Sequence, residues 1–356
     1  MEEIKNLIKV WITVLASLTY IYFMSTKIPK GNTRLLCIFP VIIIFTLLPI
    51  ILTSVNLTGN TGFFLWLANC KLLLFAFDKG PLSSHSSLSL PHFFSIACLP
   101  IKIKQNQPQN TATPSTPKTK KALTKASLNY GIKTVVLALL FETYDYKQYI
   151  HPTLLLVLYC FHVYFALEIT LVITATMAHS ILGVELEPQF NEPYLSTSLQ
   201  DFWGKRWNLM VTNMLRPTVY DPVRRISSRR IGKRLALVWA VIATFVVSGL
   251  MHELMFFYLG RNRPTWEVMR FFVLHGVCLA LEIVVKKVLN GKWQLHPWLS
   301  RPLTVGFVMV TSFWLFFPQL LKGEVDAKAL ADYGLLVEFL KDWGRMVMSS
   351  LNRIGL

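Results

Sequence analysis

Residues 245–259 read FVVSGLMHELMFFYL, a run in which nearly every side chain is apolar. Two ionisable residues, His252 and Glu253, stand next to each other well inside this run. An ionisable side chain at membrane depth costs at least about 2.5 kcal/mol unless a partner satisfies it or the protein uses it. The rest of the sequence must therefore supply either partners for these residues or a reaction in which they act.

The composition of the whole chain is that of an integral membrane protein. Its 356 residues are 53% hydrophobic and only 15% charged, whereas a soluble domain has roughly 25% charged residues. On a soluble protein the net charge of +17 would suggest a nucleic-acid partner, but here the basic residues lie between apolar runs and no nucleic-acid-binding motif accompanies them. We therefore expect no nucleic acid, and interpret the charge as cytosolic segments facing anionic lipid headgroups or a phosphorylated substrate.

Several apolar runs approach the length of about 20 residues that a bilayer crossing needs. The clear ones lie at 7–25, 35–53, 235–259, 266–285 and 302–322. Three others are less regular: 63–77 is short, 151–182 is long enough for a tilted helix, and 131–141 is weak and compatible with a re-entrant segment. The sequence thus predicts an all-α polytopic transmembrane protein with about eight spanning helices, the first an uncleaved helix rather than a signal peptide.

Two basic stretches indicate how the chain is oriented. Residues 102–125 and 224–234 each carry six Lys or Arg side chains and no acidic one. The positive-inside rule places both stretches, interpreted as loops, in the cytosol. Alternation of the crossings then puts 26–34 in the cytosol as well and 54–62 in the lumen.

The cysteines indicate neither a disulfide framework nor a metal site. They are Cys37, Cys70, Cys98, Cys160 and Cys278, an odd number without a CxxC pair. Most lie in or beside apolar runs, where a free cysteine acts as a small apolar side chain.

His252 lies 18 residues beyond Arg234, or about 27 Å along a helix axis. The small residues Ser248 and Gly249, about one turn earlier, would let another helix or a substrate chain approach closely. The simple interpretation is an imidazole hydrogen-bonded to a neighbouring helix. The functional one is a general base, with an ordinary pKa near 6.5, that takes a proton from an alcohol where water is excluded. HELMF lacks the second histidine of a zinc protease motif.

A second constellation is SLQDFWGKRWNLM at 198–210. Its two tryptophans, Trp203 and Trp207, stand one helical turn apart, as in an interfacial helix with aromatic anchors. Such a helix also accounts for the basic pair Lys205 and Arg206. It accounts less well for Asn208, because asparagine is a poor helix former whose amide must be satisfied.

SGLMHEL after a basic stretch, with DFWGKRWN upstream, resembles the membrane-bound O-acyltransferase superfamily. The sequence is most similar to plant wax synthases, the long-chain-alcohol O-fatty-acyltransferases, and their sterol-acylating relatives. Supporting stretches are LANCKLLLFAFDKGPLS (67–83), VELEPQFNEPYLSTSLQDFWGKRWN (184–208) and LRPTVYDP (215–222). The resemblance spans most of the chain and is weakest in 105–130 and after 322.

The resemblance implies a helical core with an internal substrate tunnel, in which His252 and Asn208 are the catalytic residues. It also implies direct acyl transfer from acyl-CoA to an alcohol, with acyl-CoA as co-substrate and no cofactor. Residues expected to bind substrate are Trp203, Lys205, Arg206, Trp207, Ser248, Glu253 and His275. For His275 the favoured interpretation is an interhelical polar contact, with tunnel lining as the alternative. The basic residues are compatible with binding either CoA phosphates or lipid headgroups.

We therefore expect a multi-pass endoplasmic reticulum enzyme that esterifies a fatty alcohol, with a sterol as the alternative acceptor. Its predicted parts are N-terminal membrane helices (1–99), a cytosolic Pro/Lys-rich linker (100–130), the acyltransferase core (131–322) and a C-terminal segment (323–356).

A hypothesis of another class is a transporter or proton relay. Such a relay would use His252, Glu253, Glu168 and Glu282.

Overall fold

The computed structural model describes residues 2–83, 88–100, 117–182, 188–289 and 295–354, and within them every long element is a helix. The helices are α1 (Glu2–Ser25), α2 (Asn32–Leu47), α3 (Val55–Ala76), α4 (Leu90–Cys98), α5 (Pro117–Tyr144), α6 (Pro152–Leu182), α7 (Leu199–Asp201), α8 (Leu209–Leu215), α9 (Asp221–Gly260), α10 (Glu267–Val288), α11 (Pro297–Thr311), α12 (Phe317–Leu320) and α13 (Val325–Ile354). Short π-helical turns, Phe202–Arg206, Arg216–Tyr220 and Ser312–Phe316, follow α7, α8 and α11.

The predicted all-α, multi-pass architecture is confirmed. Six segments of the described residues are long and apolar enough to cross a membrane. They are Glu2–Ser25, Asn32–Ile51, Pro152–Ser180, Leu209–Gly260, Glu267–Val288 and Pro297–Leu320. The helices α3 and α5 are the other two long helices that the sequence assigned to the membrane. Residues 131–141 lie inside α5.

The first four helices form a bundle with a core of its own. Val14 and Leu18 of α1, Phe45 of α2 and Leu72 of α3 are almost completely buried in this core. The short α4 is fixed by Lys71, whose Nζ donates to the carbonyl oxygens of Ile96 and Leu99 at 2.7 and 2.6 Å. An ammonium group at a helix C-terminus satisfies carbonyls that would otherwise lack a partner in an apolar interior.

Helix α3 joins this bundle to α9 through small residues. A Cβ atom at Gly62 would lie 3.0 Å from the ring of Tyr258, so glycine permits the close contact. The Tyr258 hydroxyl donates to the carbonyl of Thr46. Arg261, just after α9, donates to the carbonyls of Ile50 and Leu52 at 3.0 and 2.7 Å. This places Arg261 beside the loop predicted to be lumenal, with its charge used to satisfy backbone carbonyls.

Helices α5 and α6 are linked by a buried ion pair. Nζ of Lys133 lies 2.7 and 2.8 Å from the two carboxylate oxygens of Glu168 and 3.3 Å from the Tyr164 hydroxyl. Removing one partner of a buried pair costs about 3–5 kcal/mol because the other charge is left without compensation. Helix α5 begins at Pro117, so residues 117–130 of the predicted linker are helical. Residues 101–116 of that linker lie outside the described residues.

The long helix α9 contains one break. Gly232 has φ 81° and ψ 160°, a conformation that residues with a side chain rarely adopt. The basic stretch 224–234, predicted as a loop, is therefore the first segment of α9 together with this break. Beyond Gly232 the helix continues to Gly260 and packs along α10, with Phe245 against Phe271 and Phe272 in a shared core.

Candidate active site

His252 lies on α9, and its ring is oriented by its own helix. Nδ1 lies 2.8 Å from the carbonyl oxygen of Ser248, four residues earlier. A carbonyl can only accept, so Nδ1 carries the hydrogen and donates it. Nε2 then holds a lone pair, and no donor among the residues that the structure describes occupies it. His252 therefore presents one free proton acceptor.

The walls around His252 are aromatic. The ring of Phe272 lies 4.3 Å from the imidazole, centroid to centroid, and those of Phe316 and Phe256 lie at 6.0 and 6.4 Å. Aromatic rings are poor hydrogen-bonding partners for water, so they shield the imidazole from solvent and leave Nε2 for a substrate.

Asn208 adopts a left-handed backbone conformation, φ 36° and ψ 65°, and begins α8. Its Oδ1 accepts from the backbone N–H of Val211 at 3.3 Å, the usual role of asparagine at a helix N-cap. Asparagine also tolerates the left-handed region better than most residues. The side-chain Nδ2 has no hydrogen-bond partner within the described part of the chain, so two N–H donors remain free.

The segment around Asn208 is not the continuous interfacial helix that the tryptophan spacing suggests. Helix α7 passes into a π-helical turn that ends at Arg206, and Trp207 is extended. Both tryptophans contact Phe202, but their other neighbours differ. Trp207 stacks on Phe202 at 5.4 Å, whereas Trp203 meets Phe245 edge to face at 5.7 Å.

A cavity of about 560 Å³ connects these residues. Its wall is formed by α6, the segment 193–220, α9, α10 and the segment 305–317, and includes both His252 and Asn208. Trp203, Trp207 and Ser248, predicted to bind substrate, also line it. The volume is within the range of about 300–1,000 Å³ that small-molecule sites occupy, and most of the lining side chains are apolar.

Among the wall residues that the sequence did not indicate is a charged one, Arg216. Of the Lys, Arg, Asp and Glu side chains that the structure describes, it alone lines the cavity. It is exposed and has no ion-pair or hydrogen-bond partner among the described residues, so it lies where the cavity reaches the surface. The sequence signal that could have identified Arg216 is its place in the motif LRPTVYDP. In the structure it begins a π-helical turn, a feature frequent at functional sites.

Two of the predicted substrate-binding residues, Lys205 and Arg206, lie on the π-helical turn but outside the cavity wall. Lys205 is exposed. The guanidinium of Arg206 pairs with Asp201 at 2.7 Å and donates to the carbonyl of Asn191 at 3.1 Å. Arg206 therefore holds the turn to the chain that precedes it.

Glu253 also lies outside the cavity wall and is buried between helices. Its carboxylate accepts from the backbone N–H of Met269, in the first turn of α10, at 3.1 Å. The side-chain amide of Gln319 donates to it at 2.8 Å. A carboxylate is stabilised at a helix N-terminus by the free N–H groups and the helix dipole. Glu253 thus joins α9 to α10 and α12.

His275 is completely buried on α10 and does not line the cavity. The indole Nε1–H of Trp203 donates to its Nδ1 at 3.0 Å. Its Nε2 lies 2.9 Å from the hydroxyl oxygen of Thr311 on α11. Of the two roles considered from the sequence, the structure supports the interhelical polar contact. The other partner of His275, Trp203, belongs to the cavity wall.

The chain is 48% identical over 343 residues to the long-chain-alcohol O-fatty-acyltransferase of Simmondsia chinensis, covering 95% of this chain and 96% of that protein. It is 47% identical over 348 residues to acyl-CoA–sterol O-acyltransferase 1 of Arabidopsis thaliana, covering 97% and 99%. The chain belongs to the membrane bound O-acyl transferase family. The resemblance seen in the sequence motifs is thereby confirmed.

Further comparisons agree with membership of the membrane bound O-acyl transferase family. The family's sequence model matches residues 186–274, the part of the chain that contains both Asn208 and His252. A probable long-chain-alcohol O-fatty-acyltransferase 3 of Arabidopsis thaliana is 45% identical over 344 residues, 96% of each chain. The matched region therefore coincides with the segment that forms most of the cavity wall.

Proposed function

We propose that this membrane bound O-acyl transferase moves a fatty acyl group from acyl-CoA to a long-chain alcohol and so forms a wax ester. The supporting observation is that one apolar cavity is lined by both His252, whose Nε2 has no partner among the described residues, and Asn208, whose amide nitrogen has none there either. Attack of a hydroxyl on a thioester needs a base and a donor for the developing oxyanion. The two side chains supply one each.

In the proposed reaction, Nε2 of His252 accepts the hydroxyl proton while the alcohol oxygen attacks the thioester carbonyl. The amide N–H groups of Asn208 donate to the carbonyl oxygen as it becomes negative, an interaction worth about 3 kcal/mol in favourable sites. Collapse of the tetrahedral intermediate breaks the carbon–sulfur bond, and the imidazolium returns its proton to the thiolate. The carbonyl of Ser248 stabilises the imidazolium throughout. No covalent enzyme intermediate and no resident cofactor are required.

The donor's polar head is proposed to lie at the surface opening of the cavity. Among the described residues, the Arg216 side chain has no acidic partner there, and a guanidinium matches phosphate oxygens in geometry and charge. The nearby guanidinium of Arg224 lies 6.0 Å from the ring of Tyr220, which also lines the cavity. The apolar interior would then hold the acyl chain and the acceptor.

A fatty alcohol is the first choice of acceptor and a sterol the second. Both have a single hydroxyl on a large apolar body, which suits an apolar cavity with one base. The relatives include enzymes named for either acceptor at nearly equal identity. For the compartment we propose the endoplasmic reticulum membrane, with acyl-CoA entering from the cytosolic side that the basic stretches face.

Microsomes from cells that express the chain would test this proposal. They would be supplied with labelled acyl-CoA and either a long-chain alcohol or a sterol, with the His252→Ala variant at equal protein level as control. We expect wax ester from the wild type and none above background from the variant. If sterol ester forms and wax ester does not, the acceptor is a sterol and not a long-chain alcohol. Ester formation by His252→Ala at the wild-type rate would contradict the mechanism.

A further inference from the structure

Helix α10 contacts the segment that carries Asn208 at two separate points. We propose that His275 and Glu282 are positioning residues that hold residues 199–208 against α10 and so keep Asn208 aligned with His252. This inference rests on the proposed function, because it assigns these side chains to the assembly of the same site. Neither side chain lines the cavity, so neither is expected to touch a substrate.

The first contact joins His275 to Trp203, and its chemistry determines which atom donates in each hydrogen bond of His275. An indole N–H can only donate, so Nδ1 of His275, 3.0 Å from Nε1 of Trp203, must be an unprotonated acceptor. Nε2 then carries the hydrogen and donates to the Thr311 hydroxyl at 2.9 Å. That hydroxyl donates in turn to the carbonyl of Phe307 at 2.7 Å. A neutral His275 thus links the wall of the cavity to α11 through α10.

The second contact lies two helical turns further along α10, on the same face. The carboxylate of Glu282 accepts from the backbone N–H of Leu199 at 2.8 Å and from that of Gln200 at 3.3 Å. These N–H groups begin α7 and have no partner within that three-residue helix. Glu282 therefore fixes the start of the segment, and His275 fixes Trp203 near its middle.

Helix α10 is in turn held to the helix of His252. Glu253 accepts from the N–H of Met269 at 3.1 Å, and a Cβ at Gly276 would lie 2.8 Å from the Cβ of Phe245, which shows how closely the helices pack. One rigid element thus determines where both His252 and Asn208 stand. Misplacement of reacting groups by about 1 Å can lower the rate about 100-fold, so this alignment has a direct effect on turnover.

Two near-isosteric substitutions separate positioning from simple packing. In His275→Asn the side-chain oxygen can occupy the place of Nδ1 and still accept from Trp203. In His275→Gln the amide nitrogen can occupy the place of Nε2 and still donate to Thr311, but the acceptor for Trp203 is lost. Each variant removes one hydrogen bond of His275. We expect kcat to fall by about tenfold in His275→Gln and by less than about threefold in His275→Asn, with KM for acyl-CoA within about twofold of wild type in both.

Glu282 has its own matched pair of variants. Glu282→Ala removes the acceptor for Leu199 and Gln200. Lys286→Ala removes only the ion pair that Lys286 makes with Glu282 at 2.7 Å. We expect kcat to fall by about tenfold in Glu282→Ala and to stay at the wild-type value in Lys286→Ala.

The experiment measures ester formation and protein level for all variants in the same microsomes as wild type and His252→Ala. Wild-type kcat in His275→Gln, or equal losses in His275→Gln and His275→Asn, would overturn the inference while leaving the proposed function in place. Absence of ester from the wild type would instead refute the proposed function. If His275→Gln does not accumulate, Trp203→Phe removes the same hydrogen bond from the other side and must lower kcat to a similar degree.

Discussion

Phe272 lies against the ring of His252, with 4.3 Å between the two ring centroids and 31° between their planes. The same phenyl ring lies 6.1 Å from Trp203. One aromatic side chain of α10 therefore packs on the proposed base and on the wall of the cavity at once. The imidazole is held by a hydrogen bond at Nδ1 and by a flat apolar surface on one face, which leaves Nε2 as its free polar atom.

Replacing Phe272 by leucine keeps an apolar side chain but removes the flat surface beside His252. We expect kcat to fall by about threefold to tenfold, because the imidazole gains freedom to leave the reactive orientation. Initial rates at saturating acyl-CoA would measure the effect. Phe39→Leu is the control, since Phe39 is exposed on α2 and its loss should leave kcat unchanged. A wild-type kcat in Phe272→Leu would show that the stacking contributes nothing to turnover.

Asn208→Asp separates the two functions of the asparagine side chain. The carboxylate still accepts from the N–H of Val211, so α8 keeps its cap, but the N–H donors for the oxyanion are replaced by negative charge. We expect ester formation to fall by at least about 100-fold with thermal stability close to wild type. Asn208→Gly keeps the left-handed backbone but loses the side-chain cap, so it should be inactive while losing only about 0.3 kcal/mol of stability. Substantial activity in either variant would exclude the oxyanion role.

Arg216→Ala tests whether the arginine at the surface opening binds the phosphates of the donor. We expect KM for acyl-CoA to rise by about tenfold, as for the loss of one charge-assisted contact, with kcat changed by less than about twofold. The rise should shrink at high salt, where screening already weakens the contact. Arg345→Ala is the control, because Arg345 is an exposed arginine of α13 that pairs with Asp342. An unchanged KM in Arg216→Ala would remove this residue from the donor site.

Gly249→Ala tests the close packing of α9 on α10. The added Cβ would lie 2.7 Å from Sδ and 3.3 Å from the Cα of Met269, so the backbone of α10 has to move. We expect a loss of stability of about 1–3 kcal/mol, as in other overpacked cores, and a loss of activity. Gly306→Ala on α11 is the matched control, because its Cβ would meet no atom within 4 Å. Thermal unfolding of the two variants in detergent gives the comparison, and equal midpoints would contradict the packing argument.

The sequence was informative wherever the signal is local. Apolar runs of sufficient length identified the six segments that the structure supports as membrane-spanning, because length and hydropathy alone set that property. His252 and Asn208 stood out because each residue type is costly in its surroundings unless it has a specific partner or role. The structure brings both to one cavity, although their chemical roles stay predictions.

What the sequence did not indicate depends on contacts between distant parts of the chain. The spacing of Trp203 and Trp207 suggests one helical face, but the helical turn ends at Arg206, so the two residues do not share a helix. Residues far away in sequence bind this segment: Glu282 accepts from Leu199, and His275 accepts from Trp203. The spacing of residues within one helix does not indicate partners that are distant in sequence. For the same reason the sequence did not predict that Arg216 lines the cavity.

The break at Gly232 divides α9 into two helical parts with a kink between them. A continuous helix of 40 residues would carry any tilt of its charged end along its whole length. With the torsion angles of Gly232, φ 81° and ψ 160°, the segment rich in arginine can follow the plane of the headgroups while the segment that contains His252 keeps its own axis.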